Sequence, residues 1–150
     1  MQSAIQNYWQ RFIQQQKIAI DQPVQIYAFG ASPQMADELA QLVINGRKTA
    51  TTSAYALYTK DEPMPQVGDY NLILDGHDCP VAITQTTRCQ VVPYNEVTAA
   101  HAYLEGEGDR SLAYWRSVHE PFFQAEYRAA NQRFSPTIPC LCEQFILLMR

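Results

Sequence analysis

The segment Asn45-Gly46-Arg47-Lys48-Thr49-Ala50-Thr51-Thr52-Ser53-Ala54-Tyr55 marks a point where a helix stops, the chain turns and a strand begins. Before it, Met35, Leu39, Leu42 and Val43 fall on one helical face. Asn-Gly at 45–46 supplies a left-handed cap at little steric cost. After it, Thr49 to Tyr58 is rich in the β-branched and aromatic types that favour strands. The turn carries the only adjacent basic pair of the sequence, Arg47-Lys48, and then hydroxyls at Thr49, Thr51, Thr52 and Ser53. A basic pair beyond a helix C-terminus also complements the helix dipole, and a threonine-rich strand also suits an exposed sheet face. The segment alone therefore assigns no function.

The flanking chain supplies the architecture. Ser3 is placed to cap a first helix, with Gln6 in the capping-box position. Its apolar stripe, Ile5, Tyr8, Trp9, Phe12 and Ile13, is a packing face. Val24 to Phe29 reads as extended, and Ser32-Pro33 as a second helix start with serine as cap. Beyond a proline-bearing acidic loop, Tyr70 to Leu74 and Val81 to Val92 form a hairpin pattern joined through Asp75-Gly76. A short helix is expected over Asn95 to Leu104, then a flexible acidic loop, Glu105-Gly106-Glu107-Gly108-Asp109-Arg110-Ser111. A longer helix follows, carrying Leu112, Trp115, Val118 and Phe122 and kinked or restarted at Pro121. Ile138 to Met149 closes the chain as an apolar strand. Five or six strands with helices inserted between them predict an α+β fold around a small mixed β-barrel; there is too little βαβ alternation for a doubly wound sheet. Residues 1–150 are expected to form one domain, with 1–22 as an N-terminal helix packed on the barrel.

Composition limits the function classes. At 47 % hydrophobic residues the chain can build a core. No apolar run approaches the ~20 residues of a membrane span, and Gln6, Asn7, Gln10 and Arg11 interrupt any secretory pattern at the start. A cytoplasmic protein is expected. Cys79, Cys89, Cys140 and Cys142 form no Cys-x-x-Cys pair, and His77, His101 and His119 are scattered. Reduced thiols are expected, and no zinc site. A net charge of −4 argues against a protein that grips duplex DNA. It suits a nucleoside- or nucleotide-sized ligand, or a short single strand, held in a local cleft.

Three stretches together resemble the ASCH domain family, relatives of the PUA-like β-barrels. They are Gly46-Arg47-Lys48-Thr49-Ala50-Thr51 after a helix, Val67-Gly68-Asp69-Tyr70 leading into the hairpin, and the run from Glu105 through Ser111 to Leu112-Ala113-Tyr114-Trp115. The resemblance spans roughly Tyr27 to Leu148 and implies a PUA-like barrel surrounded by helices. It also implies RNA-connected work: RNA-binding modules, nucleases for single-stranded RNA, or, in a shorter branch, amidohydrolases for N4-acetylcytidine. In that branch a lysine and a threonine three residues later act with a glutamate. Lys48 and Thr51 match the spacing, with Glu107 as the candidate carboxylate and Glu143 in reserve.

These readings predict a hydrolase acting on short single-stranded RNA in a cleft between barrel and helices. An N4-acetylcytidine amidohydrolase and a non-enzymatic RNA-binding module stand as alternatives. Lys48, Thr51 and Glu107 are the expected catalytic set, with the ammonium within about 5 Å of the threonine hydroxyl. Arg47, Thr49 and Ser53 are expected to bind ligand. Arg110 and Ser111 are expected to face the same pocket, beside Asp109, as an anion site at a helix start. Tyr55 and Trp115 are the stacking candidates, Trp115 also lying on the apolar stripe. Glu105, Glu107 and Asp109 offer carboxylates to Mg²⁺ but read first as a solvated loop.

Overall fold

The computed structural model describes residues 3–150. Its elements are α1 (Ser3–Gln16), β1 (Val24–Ala28), α2 (Pro33–Ile44), β2 (Ala50–Ala54), β3 (Tyr70–Leu74), β4 (Pro80–Pro93), α3 (Ala99–Glu105), α4 (Leu112–Ala129) and β5 (Pro139–Met149). The five strands form one mixed sheet in the order β1-β3-β4-β5-β2. β1 runs parallel to β3, and the other neighbours are antiparallel. The long β4 and β5 pair from Ile83↔Met149 to Pro93↔Pro139, with register shifts at Ile83/Thr84 and Thr86/Arg88. Such irregularities add local twist and bend, and the sheet is a half-barrel carried by four helices, an α+β fold. β1 and β2 are its two free edges.

Local chemistry explains the joints. Ser32 caps α2, its hydroxyl accepting from the Met35 N–H at 3.2 Å, with Pro33 as the first helical residue. The helix ends at Asn45, and Gly46 takes φ +80°, the left-handed turn that Asn-Gly predicts. The strand pattern over Thr49 to Tyr58 is realised only at Ala50–Ala54, because Tyr55–Leu57 winds into a 3₁₀ turn. Ser3 is the first residue of α1, and the position before it lies outside the described residues. α4 runs through Pro121 instead of restarting there. Trp115 and His119 before the proline, and Phe123 and Tyr127 after it, are all buried, so packing holds both halves of the helix against the core.

Three apolar clusters hold the layers. The stripe of α1 packs with Leu72, Leu74 and Ile83 of the hairpin. Phe29, Val43, Ile73, Ala82 and Phe145 join β1 and α2 to the sheet. On the opposite flank Ala54, Cys140 and Cys142 pack with Ala102, Trp115, Phe123 and Tyr127, which seats α3 and α4. All four cysteines are free thiols. No helix among the described residues is long and apolar enough to cross a membrane.

Candidate functional site

Two arrangements meet at β2, one on each of its faces. The first is a buried polar hub around Glu105. α3 extends one residue beyond its predicted end, so Glu105 is helical and 1 % exposed rather than the start of a solvated loop. Gly106 follows at φ +74°, and a Cβ there would run into the Arg47 carbonyl. Oε1 of Glu105 takes the Lys48 ammonium at 3.2 Å and faces His119 Nε2 at 3.6 Å. Oε2 accepts the Trp115 indole N–H at 2.5 Å and the Thr52 hydroxyl at 2.6 Å. Because the Thr52 proton goes to Glu105, its oxygen accepts from His101 Nε2, 2.7 Å away, which fixes that imidazole as an Nε2–H form. His119 donates through Nδ1 to the Trp115 carbonyl at 2.9 Å and stacks on the Trp115 ring.

Charge follows from these contacts. Burial opposes ionisation of Glu105, but the Lys48 ammonium and the His101 and His119 imidazoles beside it outweigh it and hold the carboxyl well below its usual range. Burial likewise opposes the His101 imidazolium, yet the neighbouring Cys142 thiol and Glu105 carboxylate raise it to about 9. His119 is raised by the same balance, through Glu105. Lys48 itself is 2 % exposed, bonded to the Ala50 carbonyl at 2.9 Å and to Glu107 at 3.1 Å as well as to Glu105.

Glu105, Glu107 and His119 bring ligand atoms within 4.8 Å of one another, as a metal would require. The Lys48 ammonium already bridges the two carboxylates, so the donor set fits a cation that the protein itself supplies. Asp109 stands apart, its carboxylate accepting from the Ser111 N–H.

The second arrangement is an open cavity of about 460 Å³ where the half-barrel fails to close. β1 and β2, the free edges, form its walls, and Asp69, Asn71, Phe122 and Glu143 complete it. Strand alternation sends Thr52 to the hub and turns Thr51 and Ser53 to this side. Thr51 stands opposite Glu143 in the β2–β5 register. Ser53 shares a hydrogen bond of 2.8 Å with the Tyr58 hydroxyl. Glu143 is 7 % exposed, and burial, with the Asp69 carboxylate beside it, raises its carboxyl to about 7. Lys48 lies just behind this wall: its Nζ is 5.3 Å from the centre of the Phe29 ring, and Phe29 lines the cavity.

The predicted residues therefore divide. Lys48 and Glu107 are brought together, but Thr51 is hydrogen-bonded to neither, and the threonine that shares the lysine's carboxylate is Thr52. The i+3 match gave way to the two-residue period of the strand. Arg47 binds the Gly106 and Gly108 carbonyls, and Arg110 binds those of Tyr103 and Arg47 while stacking on the Tyr103 ring at 3.7 Å. Arg110 and Ser111 do not face Lys48; Ser111 caps α4 through the Tyr114 N–H. Thr49 bonds the Leu104 carbonyl, Tyr55 is exposed, and Trp115 is a core residue that also reaches the hub. Sequence reasoning placed Glu105 in a solvated loop as a carboxylate offered to Mg²⁺, and did not assign Thr52, His101 or His119 to the site. The i, i+4 pairs His101/Glu105 and Trp115/His119 are the signal that places them on common helix faces.

A mixed five-stranded half-barrel sheet with four helices places the protein among α+β domains built on a small barrel. The family model of the ASCH domain matches residues 25–149, and the chain belongs to that family. The fold is similar to that of protein EF3133 from Enterococcus faecalis V583, with 34 % identity, 99 % of this chain and 95 % of that one covered, and a TM-score of 0.89. It is also similar to an ASCH domain from Lactobacillus crispatus JV V101, at 27 % identity, coverage of 100 % and 97 %, and a TM-score of 0.90. Hypothetical protein PH0355, at 12 % identity and a TM-score of 0.57 over 84 % of this chain and all of that one, shares the fold alone. No curated protein matches the chain.

Proposed function

We propose that this protein binds a nucleoside-sized molecule between β1 and β2 and hydrolyses an acyl–nitrogen bond on it, the reaction class of an N4-acetylcytidine amidohydrolase. The observation that carries this reading is the cavity itself. Its volume, about 460 Å³, falls in the ~300–1,000 Å³ range of small-ligand sites, and no lysine or arginine lines it. A phosphodiester chain calls for cations, and those of the basic turn and the acidic-glycine run are committed elsewhere: Arg47 and Arg110 to main-chain carbonyls, Lys48 to Glu105 and Glu107. Cleavage of single-stranded RNA has correspondingly less in its favour. Within the cavity, Thr51 and Glu143 offer a hydroxyl and a carboxyl on adjacent strands. The hydroxyl suits an acyl oxygen or the attacking water, and a carboxyl near neutrality suits proton transfer. Behind them the Lys48–Glu105 pair fixes the start of β2.

The test is to incubate the protein with N4-acetylcytidine and, separately, with labelled single-stranded RNA, with and without Mg²⁺. Cytidine and acetate are expected from the first and intact strands from the second. Thr51→Ala should slow release at least ~100-fold, the scale of a lost acid–base or positioning group. Shortened RNA with no cytidine released would reverse the reading.

One observation favours RNA binding without cleavage at a different surface. Tyr103 is exposed and carries the Arg110 guanidinium on its ring, an aromatic–cation pair of the kind that stacks unpaired bases. On this reading binding weakens steeply with salt and is lost in Arg110→Ala, with the cavity untouched.

A further inference from the structure

Glu143 is 93 % buried by its 7 % exposure, lines the cavity, and receives no hydrogen bond and no ion pair from any described residue. Buried carboxyl groups in folded proteins are normally matched by donors. The Glu143 oxygens are not sealed in without a partner but open onto the cavity, which leaves them to a molecule held there. Asp69 faces Glu143 from the turn before β3, Tyr27 from β1, Tyr58 from just beyond the 3₁₀ turn that follows β2, and Cys89 from β4. Glu62 and Glu126 line the outer part of the same cavity. None of these groups is a cation. A second acceptor lies on the same cavity: Asn71, 4 % exposed, donates its amide N–H groups to the Thr84 and Thr86 hydroxyls and to the Asp69 carbonyl. Its Oδ1 has no partner within the protein, and Asn71 lines the cavity.

We propose that Glu143 is the ligand-reading group of this cavity, pairing as a carboxylic acid with an edge that offers one hydrogen-bond acceptor beside one donor, such as the ring nitrogen and exocyclic N–H of an aminopyrimidine. The inference rests on the reading of a nucleoside-sized ligand given above and names what in the ligand is read. Glu143 O–H donates to the ring nitrogen, its carbonyl oxygen accepts the exocyclic N–H, and no covalent bond is made or broken. Wherever the shared proton sits in the pair, the complex holds one proton that the carboxylate form of the free protein lacks. Association is therefore proton-linked. Glu143, raised to about 7 by burial and by Asp69, must regain its proton above neutrality before it can pair. Aromatic side chains in the lining, among them Tyr27 and Phe122, provide faces for a planar ring.

Calorimetric titration with cytidine and with N4-acetylcytidine at pH 6, 7, 8 and 9 tests this. In the unaltered protein, association should be constant up to about pH 7 and then fall about tenfold per pH unit. Glu143→Gln, whose amide presents the same donor and acceptor without titrating, should keep the pH 6 affinity and lose the slope. Glu143→Ala should bind at least ~10-fold more weakly at pH 6, with its thermal unfolding checked to confirm that it folds. Binding that is flat with pH, or an unchanged slope in Glu143→Gln, overturns the Glu143 assignment and leaves the cavity as a nucleoside site. Absence of nucleoside binding at every pH overturns both readings.

Discussion

Glu105→Ala is expected to destabilise the fold by about 3–5 kcal/mol, the cost of breaking a buried ion pair by removing one partner. Five groups converge on that carboxylate: the Lys48 ammonium, the Trp115 indole, the Thr52 hydroxyl and the imidazoles of His101 and His119. Alanine leaves the ammonium with Glu107 and the Ala50 carbonyl. It leaves the buried indole N–H with nothing, and opens a void between α3, α4 and β2. At about 2–4 °C per kcal/mol for a domain of this size, the melting temperature should drop by roughly 10–15 °C. Glu105→Gln retains the shape and should lose about half as much. In the double variant Lys48→Met with Glu105→Gln, the two losses should combine to less than their sum, since each change removes the other's unpaired charge. A melting temperature within a couple of degrees of the unaltered protein in Glu105→Ala would show that the hub does not hold β2 to the helices.

Stability should be greatest near pH 5 and decline in two steps towards pH 9, each of about 3 kcal/mol. The first step belongs to Glu143. Its carboxyl rises from an ordinary 4.5 to about 7 on folding, so the folded chain favours the protonated form, and that advantage disappears as pH climbs from 4.5 through 7. The second belongs to His101, raised from 6.5 to about 9; its contribution is complete below 6.5 and lost as pH rises through 9. His119, also raised, adds to the alkaline loss. Glu105 acts in the opposite sense: its depressed carboxyl stabilises above the usual carboxylate range and forfeits that as the medium turns acid. Urea midpoints at pH 5, 7 and 9 read the profile. Glu143→Gln should remove the first step and leave the second. A profile level from pH 5 to 9 would mean that neither group is as confined as its contacts indicate.

Legibility differed between scaffold and site for a physical reason. Caps, turns and strand periods are local, so Ser32-Pro33, Asn45-Gly46 and the hairpin around Asp75-Gly76 could be read from neighbours in sequence. The cavity draws on β1, β2, the turn before β3, α4 and β5, and nothing local in Tyr27, Asn71 or Glu143 announces that they meet. Lys48 and its acidic partners lie between the two cases. The pairing of the basic turn with the acidic-glycine run was visible as a family resemblance. The choice of Glu105 over Glu107 as the hub depended on one more residue of helix, which sets whether a carboxylate points into the protein or towards water. The same one-residue margin separates Thr52 from Thr51.

The glycine- and acid-rich stretch from Glu105 to Ser111 has the composition of a loop that proteases find first. Arg47 holds its Gly106 and Gly108 carbonyls, while Arg110, from within the stretch, reaches back to the Arg47 carbonyl. Each arginine thus clasps the backbone that carries the other. Nicking there by a glutamate-specific protease should require the whole fold to open, so its rate should follow global stability as urea is added rather than stay constant.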